Sequence, residues 1–208
     1  MRDKRMAMLA AALVGLIDVV TAAAHTDDPP PALAIWRVQQ LPFEYSSAQT
    51  FYACDSLRQK VQNILQQVGA HRSVQVTTRC SGRPTSQISA SIAVATPVEA
   101  TDENIAQATT FSPEARLVAH LRKVTLPTPR DLARFQASWQ TVSLSRGRGR
   151  MLDSGDCGLW RSLREQIFPR IAVRIVRDRI NCSGSASRIQ PDIEVQALIP
   201  ALDESPVL

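Results

Sequence analysis

The chain contains an internal duplication, and this feature restricts its fold more than any other. Trp36 precedes Cys54 by the same interval that separates Trp139 from Cys157. Other matched pairs are Leu41 with Leu144, Ile64 with Ile167, Val68 with Ile171, and Cys80-Ser81-Gly82 with Cys182-Ser183-Gly184. A repeat of this length indicates two similar structural units.

Each unit is predicted to be a β-α-β-β motif. In the first copy, residues 35–45 are rich in aromatic and β-branched residues, which predicts a strand that is interrupted at Pro42. Apolar residues then recur at helical spacing from Cys54 until Gly69 ends the helix, and Lys60 lies on the opposite, polar face. Alternating patterns predict the remaining strands of both copies at 74–78, 88–94, 173–181 and 193–199.

The organisation predicted for the whole chain is α+β. Its parts are a signal peptide at 1–24, a proline-rich leader at 25–34, a first repeat at 35–97, an insertion at 98–138, a second repeat at 139–200 and a tail at 201–208. Within the insertion, 101–110 is polar and acidic and indicates an exposed linker, whereas 117–126 indicates a strand or a short helix. Two arrangements stay open: tandem modules, or one merged pseudo-symmetric sheet with both helices on one face.

The first residues have the form of a secretory signal peptide. Three basic residues precede an apolar stretch at 6–20, and Ala22-Ala23-Ala24 is a small-residue cleavage site. The apolar run is shorter than the roughly 20 residues that a membrane span needs, and Asp18 interrupts it. Removal of 1–24 takes away three basic and two acidic residues, so the formal charge falls from +5 to +4. We expect a periplasmic or secreted protein without a later transmembrane segment.

The four cysteines fit two disulfides, because an exported chain folds in an oxidising compartment. Sequence alone allows three connectivities. A helix that crosses between parallel strands starts at the same edge at which the next strand ends, and these two places hold Cys54 and Cys80. We therefore predict Cys54–Cys80 and, by the same argument, Cys157–Cys182. Each closes a loop of about 25 residues, which is worth roughly 3–4 kcal/mol in the loop-entropy model.

Local motifs for catalysis are absent from the sequence. It has no GxSxG, HExxH, P-loop or GxGxxG segment, and neither His71 nor His120 lies at a metal-ligand spacing from other ligands. We therefore assign no catalytic residue, no metal and no cofactor. A triad assembled in space around His120 is compatible with this pattern and would make the protein a periplasmic hydrolase.

Basic residues suggest an anion site in the second copy. Arg146, Arg148 and Arg150 alternate with glycines just before the second helix, where guanidinium groups can hold a phosphate or carboxylate. Nucleic-acid readers usually add exposed aromatic residues to such a surface. The three tryptophans are instead predicted to anchor sheet–helix packing, which argues against nucleic acid as a partner. They are Trp36, Trp139 and Trp160.

Several segments resemble a family of exported proteins of Gram-negative bacteria without assigned function. They are Cys54-Asp55-Ser56-Leu57-Arg58 with Lys60-Val61, Asp156-Cys157, Gln166-Ile167-Phe168-Pro169, and Asp178-Arg179 with Cys182. The resemblance implies export and transfers no catalytic residue. Pro169 departs from the first copy, and we expect it to end or kink the second helix early.

Three functions compete at this point. The leading hypothesis is a disulfide-stabilised, non-catalytic module that binds or supports an envelope protein or an anionic envelope component, which predicts an exposed apolar patch large enough for a protein partner. A periplasmic hydrolase predicts instead a deep pocket with shifted acidities. A basic module for anionic polymers predicts binding that weakens with salt.

Overall fold

The structure is a computed structural model that describes residues 30–79, 83–145, 151–180 and 191–201. The predicted signal peptide, the cysteines at 80 and 182, the arginines at 146, 148 and 150, and the tail after 201 lie outside the described residues.

Six antiparallel strands form one open sheet. In chain order they are β1 (Ala32–Ser46), β2 (Gln75–Arg79), β3 (Gln87–Glu99), β4 (Arg134–Ser143), β5 (Val173–Arg179) and β6 (Asp192–Pro200). Across the sheet the order is β2-β3-β1-β4-β6-β5. Because β1 and β2 are both antiparallel to β3, they run in the same direction, and the same holds for β4 and β5 beside β6. The fold is α+β, as predicted.

One continuous sheet joins the two parts of the chain. Ala32–Ile35 of β1 pairs with Arg134–Ala137 of β4, so of the two arrangements left open by the sequence, the single sheet is present and tandem modules are excluded. β4 begins at Arg134, the partner of Ile35, so β1 continues beyond it without a β4 neighbour. Pro42 therefore lies where β1 has a strand neighbour on one side only. A sheet tolerates a missing N–H donor at such a position. The predicted interruption at Pro42 therefore does not occur, and β1 is longer at both ends than residues 35–45.

Helix α1 (Cys54–Gln67) follows the predicted pattern and ends on glycine. Its apolar face is buried at Leu57, Val61, Ile64 and Leu65. Gly69 has a φ of 88°, and the Gly69 and Ala70 amides donate to the Gln66 and Leu65 carbonyls. This is the Schellman arrangement, which needs a left-handed residue after the helix.

The insertion contains two helices, and its last residues, 134–138, belong to β4. The polar stretch predicted as a linker forms α2 (Asp102–Thr109), because Thr101 caps it through the Asn104 amide at 3.2 Å and two acidic residues occupy its first turn. The apolar stretch forms α3 (Pro113–Arg122), whose N-cap Ser112 accepts from the Ala115 amide. The helix within 101–110 depends on its N-cap, which amino-acid composition alone does not take into account.

The helix that follows β4 is irregular, as Pro169 predicts. Regular α-helix α4 (Cys157–Ser162) gives way to a π-helical turn at Leu163–Ile167 and a 3₁₀ turn at Phe168–Arg170. This segment lies beside the edge of β1 that β4 leaves uncovered. The Gln166 side chain there accepts from the Glu44 amide and donates to the Glu44 carbonyl, both at 2.8 Å. A side-chain amide thus replaces the peptide group of a missing strand.

Two apolar clusters hold the sheet and helices together. The larger contains the buried faces of α1 and α4 with β1, β3 and β6, and Trp160 is fully buried in it. The smaller cluster contains Trp36 and Phe135 and lies beside half-buried Trp139. Trp160 therefore anchors sheet–helix packing as predicted, whereas Trp36 and Trp139 belong to the second cluster.

Candidate binding surface

Helix α3 exposes its leucines and buries an alanine. Leu117 and Leu121 are 59% and 71% exposed, while Ala119 is the only buried residue of the helix. Successive helical residues are turned by about 100°, so the two leucines lie about 40° apart and Ala119 lies roughly opposite. Val118 and Val124, also exposed, widen the stripe. An ordinary surface helix has the reverse orientation.

Positive charge borders this apolar stripe. Arg116, Arg122 and Lys123 are exposed on α3 and its C-cap. Among the described residues none of them lies within ion-pair distance of a carboxylate, since the described ion pairs involve other cations. We call Arg116, Leu117, Val118, Leu121, Arg122, Lys123 and Val124 the α3 surface. An apolar stripe with unpaired cations matches the chemistry of interfacial amphipathic helices.

His71 and His120, the two histidines of the described ranges, lie in different surroundings. His120 lies exposed on α3. His71 is buried against the Trp36 ring, with centroids 5.2 Å apart, and its Nδ1 accepts from the Ser73 amide at 3.2 Å. Burial, and secondarily the charge of Arg72, lowers the pKa of His71. A buried neutral imidazole of this kind is a packing residue.

Neither a metal cluster nor a deep catalytic pocket appears in the described ranges. No group of three His, Cys, Asp or Glu residues there can hold a metal ion. The largest cleft among those described, about 640 Å³, is open and follows the uncovered face of β1, β2 and β3. Its polar lining includes Glu44, which accepts from the Ser89 hydroxyl at 2.7 Å. In the same ranges, no helix combines the length and apolar character that crossing a membrane requires.

A buried polar cluster joins the first part of the chain to the second. Asp156 is 3% exposed and accepts from the Tyr52 hydroxyl, from Lys60 Nζ at 2.5 Å and from the Asp153 amide at 2.6 Å. Nearby, the Thr50 hydroxyl donates to the Gly155 carbonyl at 2.5 Å. Burial, followed by the hydrogen bond to Asp156 and its charge, raises the pKa of Tyr52 far above its usual value. We call Tyr52, Lys60 and Asp156 the junction cluster.

The junction cluster corrects one prediction and adds residues that sequence reasoning missed. Lys60 was expected on a solvated helix face, yet only 23% of its side chain is exposed and it pairs with Asp156. Lys60 and Asp156 are far apart in the sequence and meet only in the folded structure, so no local pattern could predict their contact. The one available signal was that both residues lie in the segments that carry the resemblance.

No family model, curated protein or solved structure matches the chain.

The remaining predicted site residues are placed only in part. Cys54 and Cys157 each begin a helix, α1 and α4. The Cys54–Cys80 and Cys157–Cys182 pairings stay predictions, because Cys80 and Cys182 lie outside the described residues. The anion site at residues 146–150 stays a prediction for the same reason.

Proposed function

We propose that this chain is an exported, disulfide-stabilised, non-catalytic module of the cell envelope that binds an anionic, amphiphilic envelope component through the α3 surface. The observation that carries the proposal is the reversed orientation of α3, which turns Leu117 and Leu121 outward. Holding apolar side chains in water is unfavourable, so a partner that covers them gains binding free energy.

The charge of the α3 surface specifies the partner's chemistry. Two copies of this surface brought face to face would place Arg116, Arg122 and Lys123 against their equivalents, and like charges across an interface are costly. The stripe consists of four apolar side chains, whereas stable protein interfaces involve about 20–30 residues a side. An anionic lipid surface accepts the leucines and attracts the cations at the same time.

The test is co-sedimentation of the exported protein with lipid vesicles. We expect binding to vesicles that contain phosphatidylglycerol, weaker binding to pure phosphatidylcholine, and release by salt. Each cation near an anionic surface is worth about 1 kcal/mol, so the triple variant Arg116→Gln, Arg122→Gln, Lys123→Gln should bind roughly 100-fold more weakly.

A matched control separates the α3 surface from general surface hydrophobicity. Leu121→Ser should weaken vesicle binding, whereas Val38→Ser, at a strand position with the same 71% exposure, should not. Equal binding to neutral and anionic vesicles by every variant would exclude the α3 surface as the binding site.

We further propose that the two parts of the chain are copies of one β-α-β-β unit, merged in a single sheet, and that the chain belongs to the family of exported Gram-negative proteins that it resembles. The same element order in both parts, and the mirrored strand order on either side of the β1–β4 pair, support the duplication.

Amino-terminal sequencing of the exported protein tests cleavage after Ala24. Mass mapping without reduction tests the pairings, and a peptide that joins Cys54 to Cys182 would contradict them.

A further inference from the structure

A second cleft, separate from the α3 surface, contains a guanidinium group without an acidic partner. The cleft has a volume of about 350 Å³ and lies between β1, β4 and the segment that leads into β5. Arg37 and Arg174 both line it. Ligand pockets in proteins start at about 300 Å³, so the space suits a small molecule.

Arg37 is held by neutral groups only. Its Nη1 donates to Gln107 Oε1 at 3.3 Å and its Nη2 to the Arg170 carbonyl at 2.9 Å. Its Nε is buried and has no hydrogen-bond partner in the described structure. Partial burial lowers the pKa of Arg37. A partly desolvated cation without a counterion is unfavourable by itself, and an anion beside it relieves that cost.

The same cleft contains a second cation, Arg174, stacked on an aromatic ring. The Arg174 guanidinium carbon lies 4.5 Å from the centre of the Trp139 ring. The Trp139 indole donates to Glu99 Oε1 at 2.8 Å, which fixes the ring. Glu99 is the one carboxylate among the described lining residues, and it makes no described ion pair with either arginine. The two guanidinium groups therefore leave an excess of positive charge.

The rest of the lining selects the kind of anion. Apolar residues from β3, from the segment before β5 and from the start of β5 line the cleft beside the polar groups: Val98, Pro169, Ile171, Ala172 and Val173. We propose that this cleft binds a small organic carboxylate, with its carboxylate between Arg37 and Arg174 and its apolar body against Trp139. A guanidinium group matches the planar carboxylate geometry, and the apolar lining residues can contact the body of the ligand.

The test is calorimetric titration of the exported protein with benzoate, hexanoate and inorganic phosphate. We expect saturable binding of at least one of the two carboxylates and little binding of phosphate, because phosphate has no apolar body to contact the apolar lining residues. Arg37→Gln should weaken binding about 10- to 100-fold, the range for loss of a hydrogen bond to a charged group. Arg83→Gln, an exposed residue outside the cleft, should leave the affinity within about twofold, as for surface changes.

A second variant covers the case in which Arg37→Gln does not fold. Arg174 is exposed on edge strand β5, so Arg174→Gln should fold and still bind the carboxylate more weakly. Binding of the carboxylate to the unmodified protein should also change the fluorescence of Trp139. Absence of saturable carboxylate binding, retention of full affinity in Arg174→Gln, or binding of phosphate alone would overturn the proposal. Vesicle binding through the α3 surface is independent of each of these outcomes.

Discussion

The substitution Asp156→Asn tests whether the junction cluster locks the two parts of the sheet together. Three donors converge on this carboxylate: the Tyr52 hydroxyl, Lys60 Nζ and the Asp153 amide. An asparagine side chain has nearly the same shape as an aspartate but has only one acceptor oxygen. Its NH₂ group would face one or more of these three donors. Lys60 also loses its counterion.

The expected cost follows from the burial of the two charges. Removing one partner of a buried ion pair costs about 3–5 kcal/mol. Lys60 keeps 23% of its side chain exposed and recovers part of its hydration, so we lower the expectation to about 2–3 kcal/mol. With a urea m-value of about 2 kcal/mol/M, the unfolding midpoint should fall by about 1 M.

The assay is equilibrium unfolding in urea, followed by tryptophan fluorescence and by far-UV circular dichroism. The matched control is Asp55→Asn, which removes a carboxylate that is 88% exposed and pairs with Arg58 on the surface, and it should change stability by less than about 0.5 kcal/mol. Asp156→Asn in combination with Tyr52→Phe should show a coupling energy, because the two side chains share a hydrogen bond. If Asp156→Asn and Asp55→Asn have the same small effect, the junction cluster does not hold the sheet together.

Three further predictions concern pH and backbone geometry. Burial raises the pKa of both tyrosines of the chain, Tyr45 and Tyr52, so their stabilisation is complete below about pH 10 and is lost as pH rises; tyrosinate absorbance at 295 nm should stay low at pH 10.5 until urea unfolds the protein, and an ordinary titration at pH 10 would contradict this. The lowered pKa of His71 means that its contribution is complete above about pH 6.5 and falls as pH decreases, so the loss of stability from pH 7.5 to 5 should be smaller in His71→Gln than in the unmodified protein. Gly69→Ala should cost about 1–3 kcal/mol in urea unfolding, because φ is 88° and a Cβ would meet a carbonyl oxygen at 2.5 Å, whereas Ala90→Gly, on a strand, should cost less.

Much of the local structure could be predicted from the sequence because it depends on near neighbours. The apolar spacing after Cys54 defined α1, and Gly69 marked its end. Pro169 predicted that the helix beginning at Cys157 would become irregular. Residues 101–110 are mostly exposed, as predicted, but they form a helix, which composition without the cap at Thr101 did not indicate.

The candidate sites were harder to predict because they depend on distant contacts. Nothing in the interval between Lys60 and Asp156 indicates that they meet, and nothing near Arg37 indicates that its partners will be neutral. The leucines of α3 were visible as an apolar stretch, but a sequence pattern does not tell which face of a helix the sheet will cover.

The sequence by itself determined the order and type of most elements, since spacing, capping and proline act within a few residues. Only the tertiary structure decided that β1 pairs with β4 in one sheet, that Asp156 meets Lys60, and that α3 turns its leucines outward. All three features depend on contacts between residues that are far apart in the sequence. That outcome is a property of the assembled chain and cannot be read from any single segment.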